Sequence, residues 1–228
     1  MQLVAYGAQD IYLTGNPQIT FFKVVYRRHT NFSMESIQQT ISGSSTITSS
    51  SSSGSVTISR NGDLVNKIYV QIVGSDSTGL NTDAHDLISD VELEIGGQRI
   101  DKHTAEWLKV WSELTTTEEK AVGLKSMTGG LGIWGKSTGS NTGVNRCMVP
   151  LQFWFCRNPG LALPLIALQY HEVKVKFTWG TSSEVGVAAI CKVWVEYIFL
   201  DTDERRRFAQ ISHEYLVEQL QLQADTSS

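Results

Sequence analysis

VELEI at residues 91–95 and EVKVKFTW at residues 172–179 alternate apolar side chains with charged or polar ones. Successive side chains of an extended chain point to opposite faces, so each stretch presents one apolar face and one polar face. This period of two predicts β-strands that are buried on one face and wet on the other. NKIYVQIV at 66–73 and CKVWVEYIF at 191–199 carry apolar residues on both faces in places, which indicates strands whose outer face is covered by a second layer or a partner.

Turn-forming residues separate these predicted strands. RNGD at 60–63, GGQ at 96–98 and CRNPG at 156–160 supply residues that accept a positive φ or preset a turn. Short strands divided in this way are typical of a β-sandwich or a β-barrel.

One stretch, residues 104–126, has a helical pattern instead. Trp107, Trp111 and Leu114 fall on one face of a helix. TTTEE at 115–119 has the spacing of a capping box, with a hydroxyl residue three positions before a glutamate. We expect two short helices here, inserted between strands.

Two stretches are poor in apolar residues. SGSSTITSSSSSGS at 42–55 is rich in hydroxyl side chains, and we expect a hairpin tip or loop there, across which residues 37–41 pair with residues 56–59. Residues 128–145 are rich in Gly, Ser, Thr and Asn, and they are expected to form a long exposed loop of the kind that often contacts partners.

The composition indicates a globular chain. Its overall charge does not favour binding to nucleic acid. Its 228 residues are 41% apolar, enough to bury the core of one large or two small domains. With 19 Lys+Arg against 23 Asp+Glu, the net charge is −4, so there is no general basic excess to bind phosphates. In ITFFKVVYRRHTNF at 19–32 the basic residues lie within or after the apolar ones, which is the wrong order for a secretion signal. No apolar run approaches the roughly 20 residues of a membrane-spanning helix, and we expect a soluble protein.

Two stretches resemble cofactor or metal motifs, but the sequence around each does not favour such a site. GLGIWG at 130–135 matches G-x-G-x-x-G, yet it follows a predicted helix and enters a polar loop, whereas a dinucleotide site needs a strand before it and a helix after it. Asp83, His85 and Asp86 lie close together, but a short polar cluster between strands is more often a solvated loop than a metal site. We assign no cofactor, no metal and no catalytic residue.

Two His-Glu pairs and the three cysteines also do not indicate a metal site. The His-Glu pairs at 171–172 and 213–214 lack the second histidine of a zinc-protease motif. Cys147, Cys156 and Cys191 are odd in number and lack metal-type spacing, so we expect reduced thiols packed as small apolar groups.

Two groups of basic residues flank the predicted strands. They are Lys23, Arg27 and Arg28 before the first strands, and Arg205, Arg206 and Arg207 after the last one. If the two groups meet in space, they form one face able to bind carboxylates or anionic surfaces. The alternative is ordinary solvated charge, balanced by the acidic residues of the segment 201–204.

Four longer segments carry a family resemblance. They are VAYGAQDIYLTGNPQITFFKVVYRRHTNF at 4–32, ISRNGDLV at 58–65, LPLIALQYHEVKVKF at 163–177 and YIFLDTDERRRFAQISHEYLVEQLQ at 197–221. In this order they closely resemble the major capsid protein of the large nucleocytoplasmic double-stranded DNA viruses, of the iridovirus and phycodnavirus kind. The resemblance runs from end to end, apart from the serine-rich stretch and the loop at 128–145.

The resemblance implies an all-β fold, a jelly-roll sandwich of two antiparallel four-stranded sheets with short inserted helices. Members of the family carry two consecutive jelly rolls and form trimers of pseudo-hexagonal outline, which tile an icosahedral shell over an internal membrane. For this chain we expect an N-terminal lead at 1–24, the first jelly roll at 25–202, and a segment at 203–228 that resembles the passage into a second jelly roll.

The expected function is that of a structural virion protein, a capsid subunit and not an enzyme, as a fragment or short form of the major capsid protein. A single-jelly-roll minor or vertex (penton) capsid protein is the alternative, and a carbohydrate-binding sandwich module is a further one. The expected partners are further copies in a homotrimer and other capsid proteins, near an internal viral membrane, with no sequence-specific nucleic acid and no small-molecule substrate. The expected location is the virion, assembled in the host cell cytoplasm. The candidate interface residues are Lys23, Arg27, Arg28, Arg205, Arg206, Arg207, Phe208, Tyr215 and Leu216.

Overall fold

The computed structural model describes residues 30–74, 83–129, 145–181, 189–211 and 213–222. The strands and helices below all lie in one compact unit, residues 31–228. Several sequence predictions fall outside the described residues: the N-terminal lead at 1–24, the basic group Lys23, Arg27 and Arg28, the GLGIWG motif, and nearly all of the loop at 128–145.

Eleven strands are present in the described residues. They are β1 (Phe32–Gln39), β2 (Ile41–Gly43), β3 (Thr46–Ile47), β4 (Ser52–Thr57), β5 (Leu64–Gly74), β6 (Ile88–Ile95), β7 (Gln98–Thr104), β8 (Asn145–Pro150), β9 (Leu163–Pro164), β10 (Val173–Trp179) and β11 (Ala189–Leu200).

The strands form two antiparallel sheets. One has the order β1-β11-β5-β8, with β3 beside β11 and β9 beside β5, and the other has the order β2-β4-β10-β6-β7. Each sheet contains four long strands, which confirms the predicted jelly-roll sandwich. The short strands β2, β3 and β9, of two or three residues each, raise the strand counts to six and five.

The predicted alternation decides which side chains fill the space between the sheets. Val91 and Leu93 of β6 are fully buried, and the apolar residues of β10 are at most 2% exposed. Phe177 and Trp179 stack with ring centroids 5.0 Å apart. The Trp179 indole N–H donates to Ser44 O at 2.8 Å, which satisfies the polar atom of this buried ring.

The serine-rich stretch is more ordered than its composition predicts. It contributes β2, β3 and β4, and the loop at the tip is confined to residues 48–51. The predicted pairing holds for Ile41, which faces Val56, but Ile37 pairs with Val195 of β11 instead. The chain therefore changes sheets between β1 and β2, and the fully buried Ile47 anchors the segment that the prediction treated as a loop.

The helices are α1 (Ala105–Thr115), α2 (Glu118–Thr128), the single turn α3 (Trp154–Arg157) and α4 (Thr202–Gln210), with 3₁₀ turns at Ala84–Leu87 and Pro159–Leu161. The two helices expected between strands are thus confirmed as α1 and α2. The predicted face and cap differ, because Leu108 is the buried residue of α1 whereas Leu114 is 79% exposed. Thr115 ends α1, and Thr117 is the residue that precedes α2.

The cysteines are buried and free, as expected from their number and spacing. Cys147 and Cys191 both pair with Ile72, from opposite sides of β5, so an entire strand separates the two thiols. None of the helices in the described ranges is long and apolar enough to cross a bilayer.

Candidate interaction surface

Helix α4 begins at a carboxylate cap and carries the predicted arginines. Asp201 Oδ1 accepts from the backbone N–H of Thr202 at 2.7 Å, which satisfies one free donor at the helix start. Arg205 is bound to Asp63 through two nitrogens, each 3.0 Å from a carboxylate oxygen. Arg207 approaches Glu204 at 3.8 Å and remains exposed. The guanidinium of Arg205 is therefore already engaged in an ion pair with Asp63 of the same chain.

Phe208 fixes the other side of α4. It packs, half-buried, on a small cluster formed by Leu64, Ala162 and Ile198, separate from the main core. Its ring stacks on His213 with centroids 4.7 Å apart, and a nitrogen of that imidazole lies 3.1 Å from Phe208 O. Phe208 is thus mostly an anchor of the helix.

Residues 213–222, called the C-terminal strap below, contain no helix or strand. Glu218 forms an ion pair with Arg157, Gln219 Nε2 donates to Ile100 O at 2.7 Å, and the Leu220 N–H donates to Asp101 Oδ1 at 3.0 Å. These contacts hold the strap beside β7, the edge strand of its sheet. Leu216 is 79% exposed and is not used in them.

Arg157 connects the strap to the helices. Its guanidinium lies over the ring of Trp111, 3.9 Å from the centroid, in a cation–π contact. Its Nε donates to Gln152 O at 3.1 Å, and another nitrogen binds Glu218. One side chain thus joins α1, the segment before α3 and the strap.

Asp101 and His103 form a buried pair under the strap. The Asp101 Oδ2 and His103 Nε2 atoms are 2.9 Å apart and both side chains are 1% exposed, although the ring N–H is poorly aligned with the oxygen. His103 also stacks on Phe153 at 4.7 Å. Burial alone would raise the pKa of Asp101, but the contact and charge of His103, with the N–H groups of Leu220 and Lys102, outweigh it and hold that pKa below its ordinary value.

An apolar cleft of about 660 Å³ opens between the strap, α4 and the segment that follows β9. Its walls are Ile95, Trp154, Leu163, Pro164, Ile166, Ala167, Leu168, Gln169, Tyr170, Phe208, Ala209, Ile211, His213, Tyr215 and Val217. Tyr170 is 95% exposed and Ile211 is 53% exposed, while partial burial raises the pKa of Tyr215. A cleft with so few polar groups suits an apolar protein surface.

The outer face of β6 and its neighbouring strands is charged, in contrast to the apolar cleft. Lys102 lies 3.3 Å from Asp90 and 3.5 Å from Glu92, and Lys176 lies 2.9 Å from Glu94. These charges are already compensated across the strands, so this face is suited to water. Of these two surfaces, the apolar one around the cleft is the better candidate for a contact.

The polar cluster of Asp83, His85 and Asp86 is also engaged in contacts within the chain. Asp83 caps the first 3₁₀ turn, and its Oδ1 atom lies 3.1 Å from the His85 backbone N–H and 2.7 Å from His85 Nδ1. Asp86 is paired with Lys109. Within the described ranges, no three metal-binding side chains come together.

Sequence analysis missed Tyr170, Arg157 and Asp101 as parts of this surface. Only Asp101 left a signal, since Asp101 and His103 stand two residues apart in a strand and so share one face.

Known proteins resemble both the sequence and the fold. A family described as "Major capsid protein N-terminus" matches residues 20–201. The major capsid protein of Pyramimonas orientalis virus is 58% identical over 100% of this chain and 59% of its own length. That of Paramecium bursaria Chlorella virus 1 is 52% identical over 96% of this chain and 52% of its own. The chain spans about half the length of the curated relatives it matches.

A solved structure agrees with these relatives. A quasi-atomic model of the PBCV-1 virus capsid shares 45% identity and a TM-score of 0.70, covering 89% of this chain and 50% of the other. The family match alone extends over most of the chain, and it coincides with the two-sheet sandwich. This chain therefore belongs to the major capsid protein family, whose N-terminal part it matches over residues 20–201.

Proposed function

We propose that this chain is a structural subunit of a virus capsid, which assembles into trimeric, pseudo-hexagonal capsomers of an icosahedral shell. The observation that carries the proposal is the agreement with the PBCV-1 capsid, at 45% identity and a TM-score of 0.70 over 89% of the chain. In the proposed division, residues 1–24 are a lead, residues 25–202 the jelly roll, and residues 203–228 a connecting segment.

The proposed contact surface is the strap together with the exposed side of α4. Arg206 and Arg207 are exposed there, and Leu216 is 79% exposed beside the half-buried Tyr215. Exposed apolar groups favour association, and Tyr and Arg are enriched at the centres of protein interfaces. Arg205 and Phe208 contribute less directly, because the ion pair with Asp63 and the packing against the cluster around Leu64 occupy them.

The proposed location is the virion, with assembly in the host cell cytoplasm. Other capsid proteins are the proposed further partners. The basic residues Lys23, Arg27 and Arg28 are proposed to face the inner side of the shell, toward minor capsid proteins or an anionic internal membrane. Reversing the charge of Arg27 and Arg28 should then impair assembly more than folding, and unchanged assembly would leave them as solvated charge.

Light scattering after size exclusion tests the proposed surface. We expect the wild type to associate, and Leu216→Glu to shift it toward the monomer, because a buried carboxylate at the contact is costly. Leu114→Glu is the matched control, since Leu114 is also 79% exposed but lies on α1, outside the strap and α4. Electron microscopy of the associated fraction should show trimers. A wild type that stays monomeric at working concentration contradicts the proposal, as does equal loss of association in both variants.

A further inference from the structure

The attachments of the C-terminal strap differ in their surroundings. The carboxylate of Glu218 is 65% exposed, so its pairing with Arg157 is open to water and salt. The Asp101 carboxylate that holds Leu220 is only 1% exposed. Leu216 and Leu222, at 79% and 62% exposure, add little burial to the strap. A segment held by so few buried contacts can open without the rest of the fold.

We propose that the buried pair Asp101–His103 is a latch that holds the strap against the edge of β7, and that neutralising Asp101 releases the strap while both sheets stay folded. This inference concerns contacts within one chain, so it stands whether or not the strap takes part in capsid assembly.

Asp101 can act as a latch because one carboxylate serves both the sheet and the strap. Oδ1 accepts from the backbone N–H of Lys102 at 2.9 Å and from that of Leu220 at 3.0 Å. Oδ2 faces His103 Nε2 at 2.9 Å. Hydrogen bonds to an ionised acceptor are about twice as strong as neutral ones, so the negative charge itself strengthens the hold on Leu220. Without that charge, the hydrogen bond from the Leu220 N–H loses this strengthening.

Among the described residues, the titratable side chain in contact with the Asp101 carboxylate is that of His103. On β7, the Lys102 ammonium turns to the other face and binds Asp90 and Glu92. On β6, the residue opposite Asp101 is the apolar Leu93.

The elements on the other sides of the pair bring no further charge to it. On the strap, Glu218 is engaged by Arg157. On the helical side, the rings of Trp107 and Phe153 enclose His103, with centroids 6.5 Å and 4.7 Å away.

The sign of the pH dependence follows from Asp101. Its pKa is held below the ordinary value in the folded chain, so the ionised form is favoured by folding. The resulting stabilisation is fully present above the unfolded pKa of about 3.9 and is lost as the pH falls through the lower folded value. The latch is therefore closed at neutral pH and opens in acid.

Hydrogen–deuterium exchange at neutral pH tests the latch. In Asp101→Asn we expect the Leu220 amide, the strap N–H that Asp101 accepts, to exchange about 10- to 100-fold faster, as for loss of a hydrogen bond to a charged group, with β10 and β11 unchanged. Asp90→Asn is the control, since it removes an acidic charge from the outer face of the same sheet. A folded Asp101→Asn protein with wild-type protection in the strap overturns the proposal.

The wild type supplies the same test if Asp101→Asn does not fold. Exchange is followed from pH 7 to pH 3 and corrected for the intrinsic pH dependence of amide exchange. Loss of protection at the Leu220 amide of the strap at a higher pH than in β10 and β11 supports the latch. Simultaneous loss in the strap and the strands overturns it, because the strap would then have no opening of its own.

Discussion

Arg205 and Asp63 form a two-pronged ion pair that ties α4 to the turn before β5. Arg205 Nε lies 3.0 Å from Asp63 Oδ1, and Nη2 lies 3.0 Å from Oδ2. Asp63 is only 8% exposed, and its Oδ2 also accepts from the Leu200 N–H at 2.8 Å. The position of α4, and with it the start of the strap, depends on this nearly buried carboxylate keeping its partners.

Arg205→Ala should therefore destabilise the fold. The change leaves Asp63 without its cation, and we expect the free energy of unfolding to fall by about 1–3 kcal/mol. In a chain of this size each kcal/mol lowers the melting temperature by roughly 2–4 °C. Arg207→Ala is the control, because its pair spans 3.8 Å and its side chain is 66% exposed. Thermal unfolding followed by circular dichroism checks both, and equal melting temperatures would contradict the structural role of Arg205.

Two glycines should respond in opposite directions to alanine. A Cβ on Gly54 would lie 2.6 Å from Ser44 O and 2.8 Å from the Ile41 side chain, so the β2–β4 hairpin has to shift. We expect Gly54→Ala to cost about 1–3 kcal/mol, as overpacking does. Gly123 lies in α2 with no atom within 4 Å of an added Cβ, and Gly123→Ala should stabilise by roughly 0.5–1 kcal/mol. Denaturant titration measures both, and a neutral Gly54→Ala would show that the hairpin yields easily.

The long strands could be predicted because the burial of one face leaves a local pattern. The alternation at 91–95 lies within β6, and that at 172–179 covers β10 and the residue before it, while the apolar stretches at 66–73 and 191–199 lie within β5 and β11. The change of sheet after β1 could not be predicted, since Ile37 and Ile41 look alike in sequence. Their partners, Val195 and Val56, are chosen by tertiary packing.

The surface around the strap was even less accessible to sequence analysis. Leu220 and Asp101 are 119 positions apart, and no periodic pattern connects them. Arg157 was visible only as part of a turn, because its contacts with Trp111 and Glu218 require the folded arrangement of α1 and the strap. The exposed arginines of α4, by contrast, could be named from the sequence, since a run of charged residues is a local feature.

The three cysteines should be unreactive in the folded protein. Burial raises the pKa of Cys147, Cys156 and Cys191 to about 12, so the thiols are protonated at neutral pH. Because the folded pKa lies above the unfolded value of about 8.5, folding favours the protonated thiols. Their contribution to the free energy of unfolding is complete below pH 8 and declines as the pH rises from there toward 12. We expect a thiol reagent at pH 8 to label none of them before denaturation and all three after it. Rapid labelling of the native protein would contradict their burial.

The two threonines that precede α1 and α2 should differ in their contribution to stability. Thr104 Oγ1 accepts from the Trp107 N–H at 3.3 Å, whereas the side chain of Thr117 makes no such bond to α2. Loss of a capping oxygen leaves a helix N–H unsatisfied, so Thr104→Ala should cost about 1 kcal/mol. Thr117→Ala should cost less than about 0.5 kcal/mol, because no cap is lost. Urea unfolding of both variants makes the comparison, and an equal or larger loss for Thr117→Ala would restore a capping role at the start of α2.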